Sequence, residues 1–111
     1  MATDTNLSDE KIEELAWAAI RKHLSSSDYE NSSIEIRRPL RERERNADGE
    51  LEPEQIMVWL NHYGRSEVVD PKATAYANAE IWRQAEQLGD NRYFSLFHGF
   101  KRGAFPPSKA A

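Results

Sequence analysis

Apolar positions in the first part of the chain recur at helical period. Ile12, Leu15, Ala16, Ala19, Ile20 and His23 share one arc, with Trp17 and Leu24 on its shoulder. Lys11, Glu13, Glu14, Arg21 and Lys22 fill the opposite, solvated arc. This spacing predicts a helix from about Asp9 to Leu24. Ser8 stands where an N-cap belongs, Asp9 and Glu10 put negative charge on the first turn, and Leu7 with Ile12 has the spacing of a hydrophobic staple.

Helical periodicity then stops. Residues 25–33 are rich in Ser, Asn and Asp, whose side chains compete for backbone hydrogen bonds, and they read as a loop. Ser33-Ile-Glu-Ile-Arg37 alternates apolar and polar residues and reads as a short strand, which Pro39 ends or confines to an edge. Arg41 to Arg45 alternates strictly in sign, and Asn46-Ala-Asp-Gly49 has turn chemistry. A small hairpin across that turn and an exposed loop held by its own ion pairs are the two readings.

Ile56, Trp59, Leu60 and Tyr63 make an i, i+3, i+4, i+7 stripe behind Pro53, with Gly64 placed as a C-cap, and so predict a helix over 53–63. The same run, Ile56-Met-Val-Trp-Leu60, is rich in strand formers, and a buried strand pairing with 33–37 is the alternative. Asp70, Pro71 and Gly89 bound a third helix, its face lined by Ala77, Ile81, Ala85 and Leu88 and widened by Tyr76 and Trp82. It is expected to be the packing centre. Asp90 caps an expected fourth helix over 91–98, with Tyr93, Phe97 and Phe100 on one face. The fold class that follows is mainly α, with α+β left open: about four helices and at most a short two-stranded β element. Residues 1–6 are expected to be a disordered leader, 7–105 a single globular helical domain, and 106–111 an irregular tail.

Composition narrows the functional classes. With 39% hydrophobic and 31% charged residues in 111, the chain can build a core and stay soluble. Cysteine is absent, which removes disulfides, thiolate nucleophiles and thiolate metal sites. No apolar run approaches the ~20 residues that cross a bilayer, and no basic segment precedes an apolar stretch at the start, so a cytoplasmic location and no membrane partner are expected. The net charge of −4 is unevenly spread. Residues 1–55 hold 14 acids and 8 bases, whereas the stretch from Asn91 onward holds Arg92, Lys101, Arg102 and Lys109 and no acid.

Catalytic and cofactor signatures are missing. His23, His62 and His98 show no metal-ligand spacing, and the five isolated glycines form no phosphate-binding loop. Ser95 and His98 would be one turn apart on the fourth helix, but no third group joins them. Glu13 and Glu14 sit on a solvated face, where general acid work is unsupported. No cofactor, metal or catalytic residue is expected.

Two segments have the residue types that anchor partners. Arg37, Arg38, Arg41, Arg43 and Arg45 form a guanidinium-rich stretch, interleaved with Glu35, Glu42 and Glu44. The end, with Arg92, Phe100, Lys101, Arg102 and Phe105, combines aromatics with cations. The expected function is therefore non-catalytic binding: a small regulatory, inhibitor, adaptor or assembly-factor protein that occupies a surface on a larger protein through these ten residues. A nucleic-acid-associated accessory role using the same segments is the alternative, weakened by a sequence pI of about 5.4. An enzyme subunit completed only in a complex is the third. A homo-oligomer is compatible with the pattern.

Overall fold

The structure, a computed structural model, describes residues 6–64 and 69–105; the expected leader, but for Asn6, and the expected tail lie outside them. Helix α1 spans Asp9–His23, a short helical turn α2 spans Ser26–Tyr29, strand β1 spans Ser32–Arg37, β2 Gln55–Tyr63, helix α3 Pro71–Gln87 and β3 Tyr93–Lys101. Both long helices form as their sequence signals require. Ser8 Oγ accepts from the Lys11 N–H at 3.1 Å. Asp70 Oδ1 accepts from the N–H groups of Lys72 and Ala73, with Pro71 in the first turn. Gly89 follows α3 at φ +91°, the left-handed conformation that lets the chain leave a helix without a Cβ clash.

Two expected helices are strands. Residues 55–63 form the central strand and 93–101 an edge strand, so the fold is α+β with a three-stranded mixed sheet in the order β1-β2-β3. β1 runs antiparallel to β2, with Ile34 opposite Leu60 and Arg37 opposite Met57. β2 runs parallel to β3 through the α3 crossover, with Ile56 opposite Phe94 and Leu60 opposite His98. The physical reason is burial on the pleat. Ile56, Val58, Leu60, Phe94 and Leu96 all face the helices, a period-2 set that the helical stripe of 56, 59, 60 and 63 had concealed.

These strand residues meet Ile12, Ala16, Ala19 and Ile20 of α1 and Ala77, Ile81 and Ala85 of α3 in one apolar core. Small residues at 16, 19, 77 and 85 let the two helices approach each other and the sheet. Helix α3 contributes Ala77, Ile81 and Ala85 to the core, but Leu88 and Tyr76, expected on its inner face, are exposed. At the end of α3 the Arg92 guanidinium is buried against Asp90, whose side chain also accepts from the Leu7 N–H at 3.0 Å. Among the described residues no helix is long and apolar enough to cross a membrane.

Candidate binding surface

Both helices lie on one side of the sheet, and the odd-numbered strand residues face the other side. That side carries Ser33, Glu35 and Arg37 from β1, Met57, Trp59, Asn61 and Tyr63 from β2, and Ser95, Phe97, Gly99 and Lys101 from β3, aligned by the strand register. No described element covers it.

At its centre Trp59 and Phe97, neighbours on adjacent strands, stack with ring centroids 5.0 Å apart and planes 24° from parallel. The Arg37 guanidinium stands 5.4 Å over the Trp59 ring. It also forks onto Glu35 at 2.8 and 2.9 Å, and Asn61 Nδ2 donates to the same carboxylate at 3.0 Å. Arg37 above all, with Asn61, holds the Glu35 carboxyl below the usual carboxylate range. Gly99 is required by this packing: a Cβ there would come within 2.4 Å of Asn61 Oδ1 and 3.5 Å of the Trp59 ring. Among the described residues, Trp59 Nε1 and Asn61 Oδ1 are buried without a hydrogen-bond partner. Toward the far end Ser33 Oγ donates to Tyr63 Oη at 3.4 Å, and the Tyr63 ring meets Phe105 at 5.9 Å.

The arginine segment borders the other end of this face. From Arg38 the chain makes an exposed excursion to Glu54, closed at its tip by the Asn46–Gly49 turn, in which Asn46 Oδ1 accepts from the N–H groups of Asp48 and Glu50. The strand character expected there amounts to a single bridge between Arg45 and Leu51. Arg38 forks onto Asp9 of α1 and reaches Glu54 at 3.6 Å, and Arg41 pairs with Glu52 at 2.9 Å. Arg43 and Arg45 donate to the main-chain carbonyls of Glu52 and Gly49. Among the described residues, the carboxylates that meet the arginines are thus Glu35, Asp9, Glu52 and Glu54, and the interleaved Glu42 and Glu44 contribute main-chain groups, the Glu42 carbonyl accepting from Arg41 and the Glu44 N–H donating to Glu52. Leu40 is fully exposed, and together with Arg37, Pro39 and Met57 it borders a groove of about 670 Å³ that opens onto the sheet face.

The C-terminal candidates are divided by the strand that replaces the expected helix. Arg92 is buried on Asp90 and serves the interior. Phe100, nearly half exposed, stacks on His62 at 5.4 Å on the helix side. Lys101, Arg102 and Phe105 are exposed, and Lys101 belongs to the open face. Ser95 and His98 project to opposite faces, so the pair expected from a helix is not assembled. His98 instead joins a chain on the helix side: His62 Nε2 and His98 Nδ1 are 2.8 Å apart, His98 Nε2 is 2.8 Å from Thr74 Oγ1, and Thr74 donates to the Asp70 carbonyl.

The residues missed from sequence are Met57, Trp59, Asn61, Tyr63 and Phe97. The signal for the first four was present in the alternation of 55–63 and that for Phe97 in the alternation of 93–101, once those segments are read as strands. No protein-family model matches the chain, and neither a characterised protein nor a solved structure matches it.

Proposed function

We propose that the chain is a non-catalytic binding protein that occupies a surface on a larger protein through the open sheet face, with the Leu40 groove, Lys101, Arg102 and Phe105 at its margins. The observation that carries this reading is the uncovered Trp59–Phe97 stack. Phe97 is 38% exposed midway along the edge strand β3, on a face where one-sided sheets ordinarily present polar residues to water. Large rigid aromatics bury area with little loss of side-chain entropy, and a tryptophan–arginine pair is typical of interface anchors. The charge arrangement favours protein over nucleic acid. Arg37, Arg38 and Arg41 each face a carboxylate, so the segment lacks the uncompensated basic stripe that phosphate binding requires.

A second reading rests on one observation: stacked aromatics on adjacent strands beside Lys101 also suit an unpaired base. Affinity capture from native lysate, with and without nuclease, using the parent and Phe97→Ser, separates them. The protein-binding reading expects a nuclease-resistant partner that the parent retains and Phe97→Ser loses. Retention that nuclease abolishes would transfer the face to nucleic acid, and equal capture by both proteins would remove the face from the interface.

A further inference from the structure

Residues 41–51, the outer part of the excursion between β1 and β2, are all exposed, and only the Arg45–Leu51 bridge stands behind the turn at their tip. Within that turn Asp48 precedes Gly49, and no other Asp or Asn in this sequence is followed by glycine. The neighbour matters because an Asp or Asn side-chain carbonyl carbon is attacked by the main-chain nitrogen of the next residue. A side chain on that residue obstructs the approach. Gly49, at φ +80°, has none, and beyond its chain neighbours no atom lies within 4 Å of where a Cβ would stand. Its N–H donates to the Asn46 carbonyl at 3.0 Å, a solvent-exposed turn bond of the kind that opens at little cost.

The fold obstructs the same reaction at the other described Asp and Asn positions. The N–H groups that follow Asn6 and Asn91, those of Leu7 and Arg92, both donate to the Asp90 carboxylate at 3.0 Å, which occupies that carboxylate as well. Asp70 precedes Pro71, whose nitrogen has no proton to lose. The Asn46 side chain is held by the N–H groups of Asp48 and Glu50, and Ser32, after Asn31, is buried. Asp9, Asp28, Asn61 and Asn78 lie inside helices or β2.

We infer that Asp48 is a site of spontaneous isoaspartate formation, a slow modification that rebuilds the tip of the arginine segment in the folded protein. The Gly49 nitrogen attacks Asp48 Cγ, the new C–N bond forms, and the carboxyl oxygen leaves with the amide proton and its own proton as water. The product is a five-membered succinimide. Water then adds at the Asp48 main-chain carbonyl carbon and breaks its bond to the Gly49 nitrogen. The chain now runs through Cγ, one atom longer, and the former main-chain carbonyl is a free carboxylate. One water is lost and one regained, so the mass is unchanged. Four bonds cross or adjoin the altered link: Asn46 Oδ1 with the Asp48 and Glu50 N–H groups, the Asn46 N–H with the Glu50 carbonyl, and Arg45 with the Gly49 carbonyl at 2.7 Å. A longer link does not satisfy all of them, so the conversion releases Arg45 and reshapes the turn while leaving the sheet as it is.

The test is ageing of the full chain at neutral pH, folded and in guanidinium chloride, followed by tryptic mapping with electron-transfer fragmentation and by methylation with an isoaspartate methyltransferase. In the folded chain the peptide that begins at Asn46 is expected to split into two species of equal mass and different retention, the new one linked through Cγ at 48, before any other Asp or Asn converts. Asp48→Glu, which keeps the charge but would have to close a larger ring, is expected to lose both the new species and the methylation. In denaturant Asn31 and Asn91 are expected to convert as well, which shows that the fold restricts the reaction to 48. The separated isoaspartyl protein is expected to shift the amide resonances of residues 45–51 and to leave those of 56–62 in place. A folded chain without isoaspartate at 48, conversion of Asn31 or Asn91 ahead of it in the folded chain, or unshifted amides over 45–51 would each overturn the inference.

Discussion

Single residues on this fold do work that their types alone do not announce. Asp90 and Arg92, two positions apart beyond α3, form a buried ion pair that also ties Leu7 to the end of the sheet. Burial pushes the Asp90 carboxyl up, but the Arg92 side chain and the main-chain N–H groups of Leu7 and Arg92 outweigh it and hold it below its usual value. Removing one partner strands the other charge in the interior. Asp90→Ala is therefore expected to cost about 3–5 kcal/mol in urea unfolding, and a loss below about 1 kcal/mol would show the pair to be dispensable. Glu80 makes a second, testable case. Lys22 first, then Gln84, His23 and Arg83, bring its carboxyl from 4.5 to about 2. A carboxyl depressed in the folded state contributes stability above its unfolded value and loses it as pH falls through its folded value. Stability should thus decline from about pH 4.5 toward about pH 2, and Glu80→Gln should flatten that limb of the profile; an identical slope in both proteins would contradict it. Gly99 is the third. Gly99→Ala is expected to destabilise by about 1–3 kcal/mol through the clash with Asn61, and the cost should shrink in an Asn61→Ala background; strict additivity would place the clash elsewhere.

At the scale of elements, α1 and α3 were legible because capping residues and long apolar stripes agree on them. Ser8→Ala accordingly should cost on the order of 1 kcal/mol, measured by thermal or urea unfolding, and an unchanged stability would move the start of α1. β3 was misread, and β2 was left between a helix and the strand pairing with 33–37 that the structure shows, for a reason that lies in their length. Nine residues rich in large apolar side chains satisfy both a 3.6 and a 2.0 period, so 56, 59, 60 and 63 look like a helix face and 93, 97 and 100 like another. What decides between the periods is tertiary. Ile34 and Ile36 need a strand neighbour, and only a strand at 55–63 places Ile56, Val58 and Leu60 together over the helices. The arginine segment was legible as residues, but its partners were not, since Asp9, Glu52 and Glu54 meet it only through the fold. The anchor pair Trp59 and Phe97 was hidden for the same reason as the strands that hold it.

For the whole molecule, the helices seal one side of the sheet and leave the other with its aromatic residues in water, while charge divides into an acidic first half and an acid-free end. Lys101 and Arg102 at that end are exposed, and Lys101 acts on the Glu35 carboxylate across the open face; in the proposed complex their charge would steer an acidic partner. Reversing both charges should slow association chiefly at low salt, because screening already removes that attraction at high ionic strength. An association rate that is unchanged at low salt would remove these cations from the encounter. The central claim, that the open sheet face is the surface on which a larger protein sits, is tested most directly by hydroxyl-radical footprinting of the protein captured with its nuclease-resistant partner against the protein alone. The account predicts protection of Met57, Trp59 and Phe97 on complex formation, with Tyr76 and Leu88 labelled as before; protection of Tyr76 and Leu88 with Met57, Trp59 and Phe97 unchanged would contradict it.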